Sequence, residues 1–233
     1  MALITGSGRC GTTSLAAGLD GAAGTAGTPG RSRPVRARHE SGSHRMVAAL
    51  LNGDNTGAAR VLARLGPILE VSPYLVLFPE RPCPTTPMVG LVRDGRATVR
   101  SGMLDGWYYH GRREQRHWSR LQPEFGGSRF ENCCRFWAWC YERLSSWQVP
   151  IFRLEDIVRN SETRVQLCRE VGVEPIEGSL PRRNRDSLGK LRFRALGVGD
   201  MPRYPDWSRR DKGAFREIAG PTMDRFYPGW ELS

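Results

Sequence analysis

The chain has 233 residues, 39% of them hydrophobic, which is enough for one sizeable α/β domain or two small ones with a proper core. Its formal net charge is +11, and every basic residue except Lys190 and Lys212 is arginine. Such a surface attracts polyanions, but the cations are scattered without a long run, which speaks against nucleic acid as the partner. No apolar run approaches the roughly 20 residues that span a bilayer. The first apolar run ends at Gly6, too soon for a signal peptide. The six cysteines form no C-x-x-C, and the four histidines have no ligand spacing, so a zinc site is not expected. These features together predict a soluble, reduced, cytoplasmic protein.

In chain order, Ala2-Leu3-Ile4 reads as the end of a buried strand. Gly6, Gly8 and Gly11 then permit a tight turn with positive φ angles, and Thr13 to Leu19 predicts a helix. Asp20 to Arg38, rich in Gly, Ala, Thr, Pro and Arg, reads as loop. His44 to Asn52 and Ala58 to Leu65 are helical, and Pro67 to Pro73 is a second core strand ending at a proline. Met88 to Val92 is a third strand, with a helix from about Arg96. Gly126 to Gln148 contains a helix. Its Phe130, Cys133, Cys134, Trp137, Cys140, Tyr141 and Leu144 follow a 3.6-residue rhythm, so Cys133 and Cys140 read as buried small apolar residues. Val149 to Leu154 is a fourth strand. Ser161 to Val171 is a helix whose start Ser161 and Glu162 would cap. Arg182 to Asp206 is polar and basic, and Ser208 to Phe226 is a last helix. Strands alternating with helices predict a parallel sheet flanked by helices, within a single domain spanning residues 1–233. In such sheets, ligands bind beyond the carboxyl ends of the strands.

The stretch Leu3 to Leu15 joins strand, glycine turn and helix start, a geometry that aims backbone N–H groups and the positive helix end at one spot suited to an anion. Its spacing nearly fits the nucleotide-triphosphate loop G-x-x-x-x-G-K-[ST]. Gly6 and Gly11 are in place, but position 12 is threonine instead of lysine, and the cation sits inside the turn as Arg9. A second group, Arg93-Asp94-Gly95-Arg96 with Ser101, offers a guanidinium fork and a hydroxyl to a phosphate.

The first segment resembles the 5′-phosphosulfate-binding loop of sulfotransferases, and the second resembles their 3′-phosphate motif R-D-P-R-x-x-x-x-S, with Gly95 at the proline. The resemblance implies a P-loop-NTPase-like sulfotransferase fold. It also implies the donor 3′-phosphoadenosine 5′-phosphosulfate (PAPS), with Gly8, Arg9, Cys10, Gly11, Thr12, Thr13, Ser14, Arg93 and Ser101 binding it and no metal. The partners would be that nucleotide and an acceptor hydroxyl of a small molecule, sugar, lipid or natural product, with adenosine 3′,5′-bisphosphate as the leaving product. Arg9 would offset charge on the bridging oxygen. The pair His39-Glu40 resembles one bacterial branch of the family, in which a Glu or His takes the acceptor proton. In an extended chain the two side chains point to opposite sides, so only one faces the sulfuryl. Glu40 is assigned as the base, because a carboxylate is ionised at neutral pH without tuning, and His39 as the orienter of the loop or of the carboxylate.

Weaker likenesses follow. Glu70-Val71-Ser72-Pro73-Tyr74 resembles E-K-S-P-x-Y without its lysine, and no role is assigned to Glu70 or Ser72. Arg153-Leu154-Glu155-Asp156 resembles R-Y-E-D-L, with the glutamate read as structural. Arg182, Arg183 and Arg185 fall where the family's C-terminal cofactor loop belongs. Two other readings stand beside this one: a small-molecule kinase or nucleotide hydrolase with a degenerate loop, and a non-catalytic binder of nucleotides or nucleic acid.

Overall fold

The structure is a computed structural model and describes residues 1–22, 34–109, 121–176, 180–181 and 201–232. These residues form two compact units, Met1–Val92 with Leu144–Asn184 and Arg93–Arg143 with Arg185–Ser233.

The first unit is built on a five-stranded, wholly parallel sheet in the order β2-β3-β1-β4-β5. The strands are β1 (Ala2–Thr5), β2 (Arg36–His39), β3 (Ile68–Val71), β4 (Met88–Val92) and β5 (Ile151–Arg153). β1 and β4 are buried at every residue, as expected of central parallel strands covered on both faces. The helices of this unit are α1 (Thr12–Leu19), α2 (Ser43–Leu51), α3 (Asn55–Ala63), α6 (Leu154–Arg159) and α7 (Ser161–Val171), and the second unit carries α4 (Gly95–Leu104) and α8 (Arg209–Phe226). Helix α5 (Arg129–Ser146) contributes most of its length to the second unit. Ile4, Leu69, Val71, Val89 and Leu91 on the sheet form one core with Leu15 and Leu19 of α1 and Leu167 and Cys168 of α7.

The α/β class with a parallel flanked sheet is what the sequence predicts, and β4 and α7 have the expected bounds. Three local expectations are corrected. The Asp20–Arg38 stretch is not loop to its end: Arg36–His39 pairs in parallel with β3. Only Ala37 of this strand is buried, so it has no apolar signal to read. Leu154 does not close a strand but starts α6. Helix α7 is capped not by Ser161 but by Asn160, whose side chain accepts from the N–H groups of Glu162 (2.7 Å) and Thr163 (3.3 Å).

In the second unit, Phe130, Trp207, Phe215 and Trp230 interlock edge to face, with centroids 5.1–5.5 Å apart. Trp137 and Tyr141, fully buried, pack at 5.2 Å, while Trp139 stays partly exposed. Five of the six cysteines are buried and all are free thiols, in line with the apolar role expected of Cys133 and Cys140. Gly95 stands at the first position of α4, where proline is common. A Cβ there would already lie 3.0 Å from the Trp137 ring and 3.1 Å from Phe215, so the rings leave little room for a side chain.

Candidate functional site

β1 is the central strand of the sheet. Its chain leaves towards the β2 edge, whereas β3 leads across it to β4. The carboxyl end of β1 therefore lies at the switch in strand order, the position at which open α/β sheets bind ligands. The turn that follows is held in left-handed backbone at Gly8 (φ 74°), Arg9 (φ 54°) and Gly11 (φ 93°). Gly11 directly precedes α1. No side chain caps that helix, and its own first turn has no acidic residue. The turn is fixed from below. A Cβ on Gly6 would come within 2.3 Å of the Leu91 carbonyl oxygen, and one on Gly11 within 2.8 Å of the Leu154 methyls. Cys10 is fully buried in the core, which limits its part in an anion site to its main chain. Thr12 is buried, and Arg9, Thr13 and Ser14 are partly exposed.

The structure brings His39 and Glu40 onto this turn. His39 Nε2 lies 3.1 Å from Thr12 Oγ1 and 3.2 Å from Thr13 Oγ1, so a single imidazole nitrogen bridges both loop hydroxyls. The expectation that the two side chains diverge is wrong. Glu40 has φ 59°, which turns the chain immediately after β2 and leaves its Oε1 3.6 Å from His39 Nε2. Left-handed backbone at a non-glycine costs on the order of 1–3 kcal/mol and is held here by surrounding structure. The Glu40 N–H donates to the Val71 carbonyl (3.3 Å), and Ser41 N–H donates to both oxygens of Glu70 (3.1 and 3.4 Å).

Burial reverses the usual order of basicity in this cluster. It lowers the His39 imidazole to about 4, so the ring is neutral at pH 7 and its contact with Glu40 is not an ion pair. It raises the Glu40 carboxyl above its ordinary value, which makes Glu40 the stronger proton acceptor of the two. Glu70, 1% exposed, is pushed to about 7, first by burial and further by the neighbouring Glu40 charge. Glu70 thus has a place that its sequence context did not reveal: it holds the turn that carries Glu40. Ser72 caps the short 3-10 helix Pro73–Leu77 by accepting from Tyr74 N–H (3.3 Å).

The second unit contains a cavity of about 420 Å³, and Arg93 and Ser101 of the second motif line it. Arg93 follows β4, and Ser101, eight positions on, is on α4. Arg96, Arg100, Arg203 and Tyr204 line it too, with Asp94 as the one carboxylate among the described residues. Asp94 caps α4 through the Arg96 N–H (2.8 Å) and clamps the Arg96 guanidinium at 2.7–3.2 Å. The lining is therefore strongly cationic. Arg100 and Arg203 escaped sequence reasoning. Arg100 lies inside the motif's unspecified positions, and Arg203 lies a hundred residues further along in a stretch with no periodicity. Arg182, Arg183 and Arg185 lie outside the described residues.

Among the described residues, no His, Cys, Asp and Glu group has the arrangement to hold a metal ion, and no helix is long and apolar enough to cross a membrane. Fold and site define an α/β protein with a glycine turn at the sheet's switch point in the first unit and an arginine-lined cavity in the second. No protein-family model matches the chain, and comparison with curated proteins finds no match.

Proposed function

We propose that the protein is a PAPS-dependent sulfotransferase with a P-loop-like sulfotransferase fold. The observation that carries this reading is the cavity, where Arg93 and Ser101 meet among further arginines, a donor set suited to a phosphate dianion. The reading gives the 3′-phosphate to Arg93 and Ser101. It gives the phosphosulfate to the turn Gly8–Ser14, whose left-handed residues, uncapped helix start, hydroxyls and Arg9 suit an anion and offer no lysine for a triphosphate. When bound, PAPS supplies a sulfuryl group: an S–O bond forms to the acceptor oxygen as the S–O bond to the 5′-phosphate breaks. Glu40 takes the acceptor proton. Neutral His39 holds the Thr12 and Thr13 hydroxyls in position, and Glu70 holds the backbone turn under Glu40.

Ligand-induced stabilisation tests the reading. Adenosine 3′,5′-bisphosphate at 100 times its Kd should add about 2.7 kcal/mol, or roughly 5–10 °C in Tm for a chain of this size. The shift should survive EDTA, and AMP should give far less. Equal shifts from both nucleotides, or a strict requirement for Mg²⁺ with ATP, would favour the kinase-like reading instead.

Arg93→Ala should weaken adenosine 3′,5′-bisphosphate at least tenfold, since a hydrogen bond to a charged group contributes about 1.5–3 kcal/mol. The fold should survive, because the Arg93 carbonyl, which accepts from Trp137 Nε1 (3.2 Å) and Thr98 Oγ1 (3.5 Å), is kept. A variant that fails to fold in circular dichroism would mark the side chain as structural.

A further inference from the structure

Glu70 is a buried carboxylate one position short of the end of β3, and it reaches the turn that leaves β2. The strand register explains the reach. Glu70 stands opposite Arg38 of β2 and Leu3 of β1, so the three share one sheet face, while Val71, His39 and Ile4 occupy the other. Left-handed Glu40 then turns the chain across the end of β3, where its N–H donates to the Val71 carbonyl (3.3 Å). The next N–H, of Ser41, meets both Glu70 oxygens at 3.1 and 3.4 Å.

The neighbours of Glu70 do not neutralise it. Leu3 brings no charge, and Arg38 turns to Asp20 (3.8 Å) with half of its side chain exposed. His39 lies on the opposite face and is neutral at pH 7. Among the described residues, the charged group acting on Glu70 is Glu40, a like charge. Burial first, and then that charge, hold the Glu70 proton up to about 7. The base and its support are therefore two carboxylates on one turn, and ionising either makes the other more basic.

We infer that Glu70 is an ionisable positioning residue: its charged form binds the Ser41 N–H more strongly and raises the proton affinity of Glu40, so its charge state sets how well the base works. The inference rests on the reading proposed above. The charged form gains as pH rises, so turnover should climb through neutral pH on a limb that belongs to Glu70 and not to Glu40. The test is kcat/KM for PAPS against pH in the wild type, Glu70→Gln and Glu70→Asp, with the wild-type amide NMR spectrum followed over the same range. Wild-type kcat/KM should fall about tenfold from pH 8 to pH 6. Glu70→Gln keeps an oxygen for the Ser41 N–H but cannot ionise, so its profile should stay within about twofold there, whereas Glu70→Asp should keep the limb. The Ser41 amide proton should titrate with the same midpoint, a readout that needs neither a variant nor turnover. A Glu70→Gln profile that keeps the limb, or a Ser41 amide that does not move, would overturn the inference and leave the sulfotransferase reading standing. A wild type that binds adenosine 3′,5′-bisphosphate no better than AMP and turns over no PAPS would remove that reading, and the inference with it.

Discussion

Glu40→Gln should lower kcat by about 10²- to 10⁴-fold, the usual contribution of a positioned general base. Glu40 is the better placed proton acceptor of the His39–Glu40 pair. Ordinarily imidazole is the better proton acceptor, but burial drops His39 to about 4 and raises Glu40, and the His39 Nε2 already bridges the hydroxyls of Thr12 and Thr13. Glutamine keeps the volume and the left-handed turn while removing the proton acceptor, so affinity for adenosine 3′,5′-bisphosphate should stay within about twofold. Turnover can be followed as bisphosphate released from PAPS, with an acceptor found by screening alcohols, phenols and sugars. His39→Ala should cost less, acting through the threonines. Near-normal turnover in Glu40→Gln alongside an inactive His39→Ala would reverse the assignment, and indifference to both changes would move the base elsewhere.

Gly6→Ala should be clearly destabilising. The added methyl would sit 2.3 Å from the Leu91 carbonyl oxygen and 2.6 Å from Cys10 Sγ. The thiol can rotate, but the carbonyl belongs to β4, which pairs with β1 through Thr5 and Gly90 and cannot retreat without opening the sheet. Overpacking of this kind costs about 1–3 kcal/mol, which for a chain of this length lowers Tm by roughly 2–12 °C. Gly213→Ala is the control. It is an exposed position in α8 with nothing within 4 Å of the new methyl, and its Tm should hold or rise. If Gly6→Ala melts with the wild type, the close approach of the turn to β4 is not real.

The parts of the fold that the sequence revealed are those where one physical effect dominates. β1 and β4 are covered on both faces and so write continuous apolar runs. β2 writes none, because it is an edge strand with Arg36, Arg38 and His39 at three of its four positions. The site divides in the same way. Arg93 and Ser101 could be paired because they stand at the spacing of a short linear motif, and the turn Gly8–Ser14 because its conformation favours glycine. The convergence of His39 and Glu40 depends on a positive φ at a glutamate, which no composition signals. Glu70 stands out in the sequence by its motif likeness but shows a role only through its bond from Ser41 N–H, and Arg203 joins Arg93 in the cavity lining from a distant segment.

The strand order also bears on how the chain is made. β5 completes the sheet beside β4, yet the whole stretch from Arg93 to Pro150 lies between them in the chain. During synthesis β4 leaves the ribosome well before its outer neighbour, so one side of the nascent sheet is an unpaired template while the arginine-rich middle of the protein is still emerging. Pairings of such long sequence separation form slowly. The step that joins Gly90 to Ile151 therefore waits on the whole intervening stretch and leaves the outer edge of β4 open until then.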